Sequence, residues 1–150
     1  MNLLNQLEKG LISRDAAETH AVAERLAAHL PVDCTLALSG QLGTGKTTFV
    51  QGLARAWGIR KSVTSPTFNL YTIYDGQRRL IHFDAYRLGS PSEADDLLIE
   101  DFLRSPYCLA VEWPEKVGGW LPEPVMHLFF AIVGEGEHAI QLVNKDARQG

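Results

Sequence analysis

Cysteine is scarce in this chain: Cys34 and Cys108 are the only two. Each lies in an apolar, strand-like run, with no second Cys or His nearby at metal-ligand spacing, so both read as buried structural thiols. An excess of basic residues is also lacking. Fourteen Lys and Arg stand against eighteen Asp and Glu, a formal net charge of −4, which excludes a global positive field that would recruit nucleic acid. An apolar leader is lacking too. The stretch MNLLNQLEKGLISRDAAE is interrupted by Glu8, Lys9, Arg14 and Asp15, so it reads neither as a signal peptide nor as a membrane span, and a cytoplasmic protein is expected. There is no internal repeat and no low-complexity linker. What is present is 45% apolar and 21% charged residues over 150 positions, ordinary for a single globular domain with one core, expected over about residues 10–143 with frayed termini.

The pattern along the chain predicts a small α/β domain with a mixed sheet flanked by helices. RDAAETHAVAERLAAHL reads as an amphipathic helix closed by Pro31, with Ala17, Val22, Leu26 and Leu30 near helical spacing. CTLALS is a short apolar run suited to a buried parallel strand. A glycine-rich turn follows, then KTTFVQGLARAWG, a helix stopped at Gly58. FNLYTIY and RRLIHFDAY read as strands about a turn at Asp75-Gly76. Ser90, Pro91 and Glu93 form a capping-box signature for a helix running roughly to Leu103, with room for a break. YCLAVEW is another buried strand, residues 114–124 a proline-rich surface connection, and VMHLFFAIV and HAIQLV strands about a Gly-Glu-Gly turn.

Residues 40–47, GQLGTGKT, match G-x-x-x-x-G-K-[ST] in full. Gly40, Gly43 and Gly45 permit backbone angles closed to other residues, and they clear side chains from the path of a phosphate. Successive N–H groups of Gly43, Thr44, Gly45, Lys46 and Thr47 then converge as an anion nest, reinforced by the positive end of the following helix. Lys46 is placed to reach β- and γ-phosphate oxygens, and Thr47 to give its hydroxyl to magnesium. Chance produces such a match in roughly one chain of this length in 200, and the strand before it and helix after it reduce that further. ATP is favoured over GTP. Asn144-Lys145-Asp146 resembles a guanine-reading motif but has Ala147 where an Asp is required, and it reads as a solvated tail.

Two carboxylates end apolar strands, Asp84 in LIHFD and Glu112 in LAVE. The carboxyl ends of strands are where ligands gather in such sheets, so these two are the candidate catalytic acids beside Lys46. Each alone is also compatible with an ion-paired strand end. Thr64-Ser65-Pro66-Thr67 reads either as a loop reaching the γ-phosphate or as a capped turn. Arg87 reads as an exposed ion pair, and His82 as a packed histidine rather than a base. Trp113 reads as core or as a nucleotide or partner contact. The acids Glu93, Asp95, Asp96, Glu100 and Asp101 read as a solvated helix face.

GQLGTGKTTF, TSPTF, HFDAYRL and VEWPE, in this order, resemble the TsaE family, also called YjeE, over about residues 10–143. The resemblance implies a P-loop fold and slow, magnesium-dependent ATP hydrolysis. It also implies a role with TsaB and TsaD in threonylcarbamoyladenosine modification of tRNA position 37, with tRNA reached through that complex. It implies that Lys46 holds phosphate, that Thr47 and Glu112 hold magnesium, and that Asp84 is the Walker B-like acid. Thr48 and the 64–67 loop would line the site, and the helix carrying Thr19 would lie near the base. Two departures stand out. Gln41 replaces the family's Asp, and Gly136-Glu137-His138 stands where an arginine is usual. A small-molecule P-loop kinase is the alternative reading, although no arginine-rich lid is visible; a binding module without useful catalysis is a third.

Overall fold

The structure, a computed structural model, describes residues 2–66 and 70–143. It begins with two elements that the sequence pattern did not announce. Helix α1, Leu3–Lys9, is capped by Asn2, whose side chain accepts from the Asn5 amide, and strand β1, Leu11–Ser13, follows. Leu3 and Leu7 are buried in the main core, so the expectation of a frayed N-terminus before residue 10 is corrected. A short amphipathic helix is easily overlooked because it contributes only two core residues.

Helix α2, Ala16–Ala27, starts at Asp15, whose carboxylate accepts from the Glu18 amide while Glu18 reaches back to the Arg14 amide. This reciprocal pairing satisfies amides left open at a helix start. Strand β2, Asp33–Ser39, is buried through its centre, and helix α3, Lys46–Ala56, follows the glycine turn. Strands β3, Tyr71–Asp75, and β4, Arg79–Asp84, form the expected hairpin, with Asp75 opposite Arg79. A Cβ on Gly76 would lie 2.3 Å from the Trp57 carbonyl oxygen, so this turn sits directly on the end of α3's segment and needs glycine.

Helix α4 is shorter than expected, Ser92–Asp96, and the chain breaks at Leu98 (φ 56°) before a 3-10 turn at Ile99–Phe102. The capping box is also corrected. Glu93 accepts from the Gly89 amide, and the Ser90 hydroxyl pairs with that of Ser92 instead of capping the helix. Strand β5 is Tyr107–Glu112, strand β6 Val125–Gly134 and strand β7 Glu137–Val143. The segment between β5 and β6 is more than a surface connection. It makes two 3-10 turns, Pro114–Lys116 and Gly118–Trp120; Val117 is fully buried, and the Trp120 ring stands edge-on to Phe83 at 5.8 Å.

The seven strands form one mixed sheet in the order β1-β7-β6-β2-β5-β4-β3. β2 is parallel to β5 and β6, and β4 is parallel to β5; β3, β7 and β1 pair antiparallel. The side chains alternate faces along each strand. Leu36, Leu38, Leu80, Ala110, Leu128 and Phe130 meet α1, α2 and α3, whereas Ile81, Phe83, Leu109 and Val111 meet Leu88, Ala94, Ile99 and Val117 on the other face. Cys34 and Cys108, far apart in sequence, lie opposite each other in the β2–β5 register as buried free thiols. No described helix is long and apolar enough to cross a membrane.

Candidate nucleotide-binding site

The site is assembled where β2, β4 and β5 end. β2 stops at Ser39 and the chain turns back on itself through Gly40. Gly40 has φ 138°, and a Cβ there would lie 2.3 Å from the Phe130 carbonyl oxygen of β6, so only glycine lets the turn lie this close to the neighbouring strand. Thr44 then closes the loop from inside. Its hydroxyl donates to the Gln41 carbonyl at 2.8 Å, and its side chain is buried. Thr44 therefore offers a ligand only its backbone, and the side chains of Gln41 and Leu42 point to solvent. Gly45, at φ 99°, starts α3 without a side-chain cap. The first amides of α3 are open to an anion, with the helix dipole behind them.

Lys46 and Thr47 leave the first turn of α3 toward the sheet. Lys46 is buried as a residue, and its ammonium donates to the Gly40 carbonyl at 2.5 Å and lies 4.2 Å from the Trp113 ring centroid. Burial pulls this ammonium below its ordinary range, opposed by the charges of Glu112, Asp84 and Glu115. Thr47 donates its hydroxyl to Glu112 Oε2 at 2.9 Å. Glu112 is 5% exposed. Burial pushes its carboxyl up, but the hydrogen bonds from His82 and Thr47 and the Lys46 charge outweigh that and hold it below the usual carboxylate range.

Asp84 stands opposite Glu112 in the β4–β5 register, and its Oδ1 accepts from the Tyr86 amide at 3.0 Å, tying the carboxylate to the turn after β4. The structure thus brings Lys46, Thr47, Asp84 and Glu112 to one end of the sheet, together with Gly43, Gly45 and Thr48 at the loop and helix start. Trp113, which the sequence left as core or contact, is half-buried at φ 60° with its ring against Tyr86, 4.9 Å away, and beside Lys46.

Other candidates are placed differently. Thr64 and Ser65 are exposed, while Thr67 and the tail Asn144-Lys145-Asp146 lie outside the described residues. Thr19 is buried, paired with Ser13 at 2.6 Å, so its hydroxyl is spent on holding α2 to β1. Arg87 and the acids Glu93, Asp95, Asp96, Glu100 and Asp101 are exposed; among the latter, Glu100 accepts from the Trp120 indole at 2.8 Å. His138, in the stretch Gly136-Glu137-His138, puts its imidazole against the phosphate loop: a Cβ on Gly45 would be 3.4 Å from its Nδ1. The sequence carried no sign of Phe130 beneath the loop, and His82 read only as a packed histidine although it reaches Glu112. The one signal for His82 was a polar residue inside an otherwise apolar strand.

Comparison with known proteins points to one family. The family described as "Threonylcarbamoyl adenosine biosynthesis protein TsaE" matches residues 13–140. A protein of Treponema pallidum named "tRNA threonylcarbamoyladenosine biosynthesis protein TsaE" is 33% identical over 129 residues, covering 86% of this chain and 96% of that protein. A Rickettsia bellii protein of the same name is 31% identical over 144 residues, covering 95% and 99%. The crystal structure of Bacillus subtilis YdiB superposes with a TM-score of 0.72 at 32% identity, over 93% of this chain and 88% of that one. With residues 13–140 matched by the family and relatives 31–33% identical over nearly the full length, the chain belongs to the TsaE family.

Proposed function

We propose that this protein binds and slowly hydrolyses ATP with magnesium, and that it serves tRNA threonylcarbamoyladenosine formation by acting on a TsaB–TsaD complex. The observation that carries the nucleotide part is the convergence of the uncapped start of α3, the Lys46 ammonium and the Thr47–Glu112 pair at the ends of β2 and β5. The family and the names of the relatives support the pathway.

Thr47 and Glu112 suit magnesium. Their oxygens lie 2.9 Å apart, so both could serve one small, hard cation that takes oxygen ligands. Among the described residues no group of three or more His, Cys, Asp or Glu is placed to hold a metal ion. Two protein oxygens plus phosphate and water are the usual complement for magnesium bound with a nucleotide. Such an ion would offset phosphate charge during transfer. Lys46 would exchange the Gly40 carbonyl for phosphate oxygens, and the amides of Gly43 to Thr48 would hold the remaining phosphate oxygens. Asp84, opposite Glu112 and accepting from the Tyr86 amide, would orient water rather than share the Thr47–Glu112 oxygens.

The test is multiple-turnover modification of unmodified tRNA by TsaB, TsaD and threonylcarbamoyl-AMP, with and without this protein. Turnover that depends on the protein and on ATP is expected, with loss in Asp84→Ala. Equal turnover without it overturns the proposal. Rapid transfer of phosphate to a metabolite would establish the kinase alternative.

A further inference from the structure

Strand β4 carries one fully buried polar side chain, His82, between Ile81 and Phe83. The pleat turns Ile81 and Phe83 to one face, and His82 to the face that α3 covers. There its Nε2 lies 2.6 Å from Glu112 Oε2, the same oxygen that accepts from Thr47. An ionised carboxylate only accepts, so Nε2 must carry the proton. Nδ1 is buried with no hydrogen-bond partner among the described residues. A proton there would be an unsatisfied buried donor, which costs more than a bare ring nitrogen. Both constraints select one tautomer, Nε2–H, aimed at Glu112.

A packing role alone does not account for this arrangement. An aliphatic side chain would fill the slot beside Leu80 and Ala110 without leaving Nδ1 unpartnered. What the imidazole adds is a second, rigid donor on a carboxylate whose other donor, Thr47, sits on a different element. Glu112 is thereby held from the sheet as well as from α3.

We propose that His82 is a positioning residue of the nucleotide site, fixing Glu112 so that Oε2 stays beside Thr47 Oγ1 whether or not nucleotide is bound. This rests on the reading of Thr47 and Glu112 as the magnesium pair. Partners that orient metal ligands are typically worth 10–100-fold in metal affinity. Losing His82 frees the carboxylate to rotate, while the phosphate contacts of Lys46 and the loop amides remain.

The experiment is titration of the protein with ADP, with and without magnesium, on wild type, His82→Leu, His82→Gln and Glu112→Gln. Expected is a 10–100-fold rise in half-saturating magnesium for His82→Leu, with magnesium-free ADP affinity changed less than about twofold. Glutamine can place an amide N–H near the imidazole Nε2 position, so His82→Gln is expected to recover most of the loss. Magnesium dependence within twofold of wild type in His82→Leu overturns the proposal, as does a folded His82→Gln that fails as badly as His82→Leu. Should His82→Leu not fold, nitrogen NMR of the wild-type imidazole carries the test: an Nε2–H tautomer supports the proposal and an Nδ1–H tautomer overturns it. If Glu112→Gln also leaves magnesium dependence unchanged, the magnesium reading itself has failed, a result distinct from failure of His82 alone.

Discussion

The centre of the sheet and its β6–β7–β1 flank obey different rules. β2, β4 and β5 are parallel and covered on both faces; Leu36, Leu38, Leu80, Ile81, Leu109 and Val111 are all completely buried. The flank is closed by antiparallel strands; Phe129 and Val133, on the face opposite Leu128 and Phe130, remain 45% and 52% exposed, and Ile132, near the far end of β6, 60%. Parallel strands need crossovers that lay chain over the faces, which is why the centre reads as unbroken apolar runs. The candidate chemistry follows the same division. Lys46, Thr47, Asp84 and Glu112 stand at the ends of the covered strands, where burial strengthens charge interactions and shifts the Lys46 and Glu112 equilibria. The flank contributes shape instead: the Phe130 carbonyl under Gly40 and the His138 ring against Gly45.

The largest effect is expected where the two regions meet. Gly40→Ala would force a Cβ into the Phe130 carbonyl at φ 138°, and strain plus overlap should cost about 2–5 kcal/mol of unfolding free energy. Gly136→Ala, in the flank turn at φ 70° with open space around it, should cost only about 1 kcal/mol. Equal losses in urea denaturation would mean that the flank does not wall the loop.

Next comes the core contrast. Leu109→Ala removes a fully buried side chain from the centre and should cost about 2–5 kcal/mol. Ile132→Ala on the flank should stay within about 0.5 kcal/mol. A costly Ile132→Ala would show that the exposed flank is covered in solution.

Lys46→Ala tests the chemistry of the centre. Loss of a charge-assisted phosphate contact is worth about 1.5–3 kcal/mol, or roughly 10- to 150-fold in ATP affinity by equilibrium titration. Unchanged affinity would remove Lys46 from the site.

The smallest effect is on pH. The Glu112 carboxyl is held below its ordinary value of 4.5 in the folded protein, so its ionised form favours folding. That contribution is complete above about pH 4.5 and is lost as pH falls through the lower folded value. Denaturation midpoints at pH 7 and pH 3 should differ less in Glu112→Gln than in wild type. An equal difference in both would remove Glu112 as the source.

Much of this was legible beforehand for identifiable reasons. GQLGTGKT is local chemistry, in which spacing alone aligns amides, lysine and hydroxyl, and the apolar runs ending in Asp84 and Glu112 announce buried strands with polar tips. The break in this helix was allowed for, but its place at Leu98 and the Glu93–Gly89 bond were not legible, because several backbone paths satisfy the same Ser-Pro-Ser-Glu signature. α1 and β1 were missed because their pattern is too short to stand out from a loop. His82 was read as a packed histidine, and it is packed; its bond to Glu112 depends on strand register, which no local pattern encodes.

By itself, then, the sequence determined the phosphate loop, the helix that follows it, the strand-end acids and the family, since each is written in contiguous residues. Tertiary structure alone decided that β6 presses on Gly40, that Cys34 faces Cys108, and that His82, Thr47 and Glu112 meet at one oxygen. Those contacts join residues tens of positions apart, and only the order and register of strands in the sheet bring them within bonding distance.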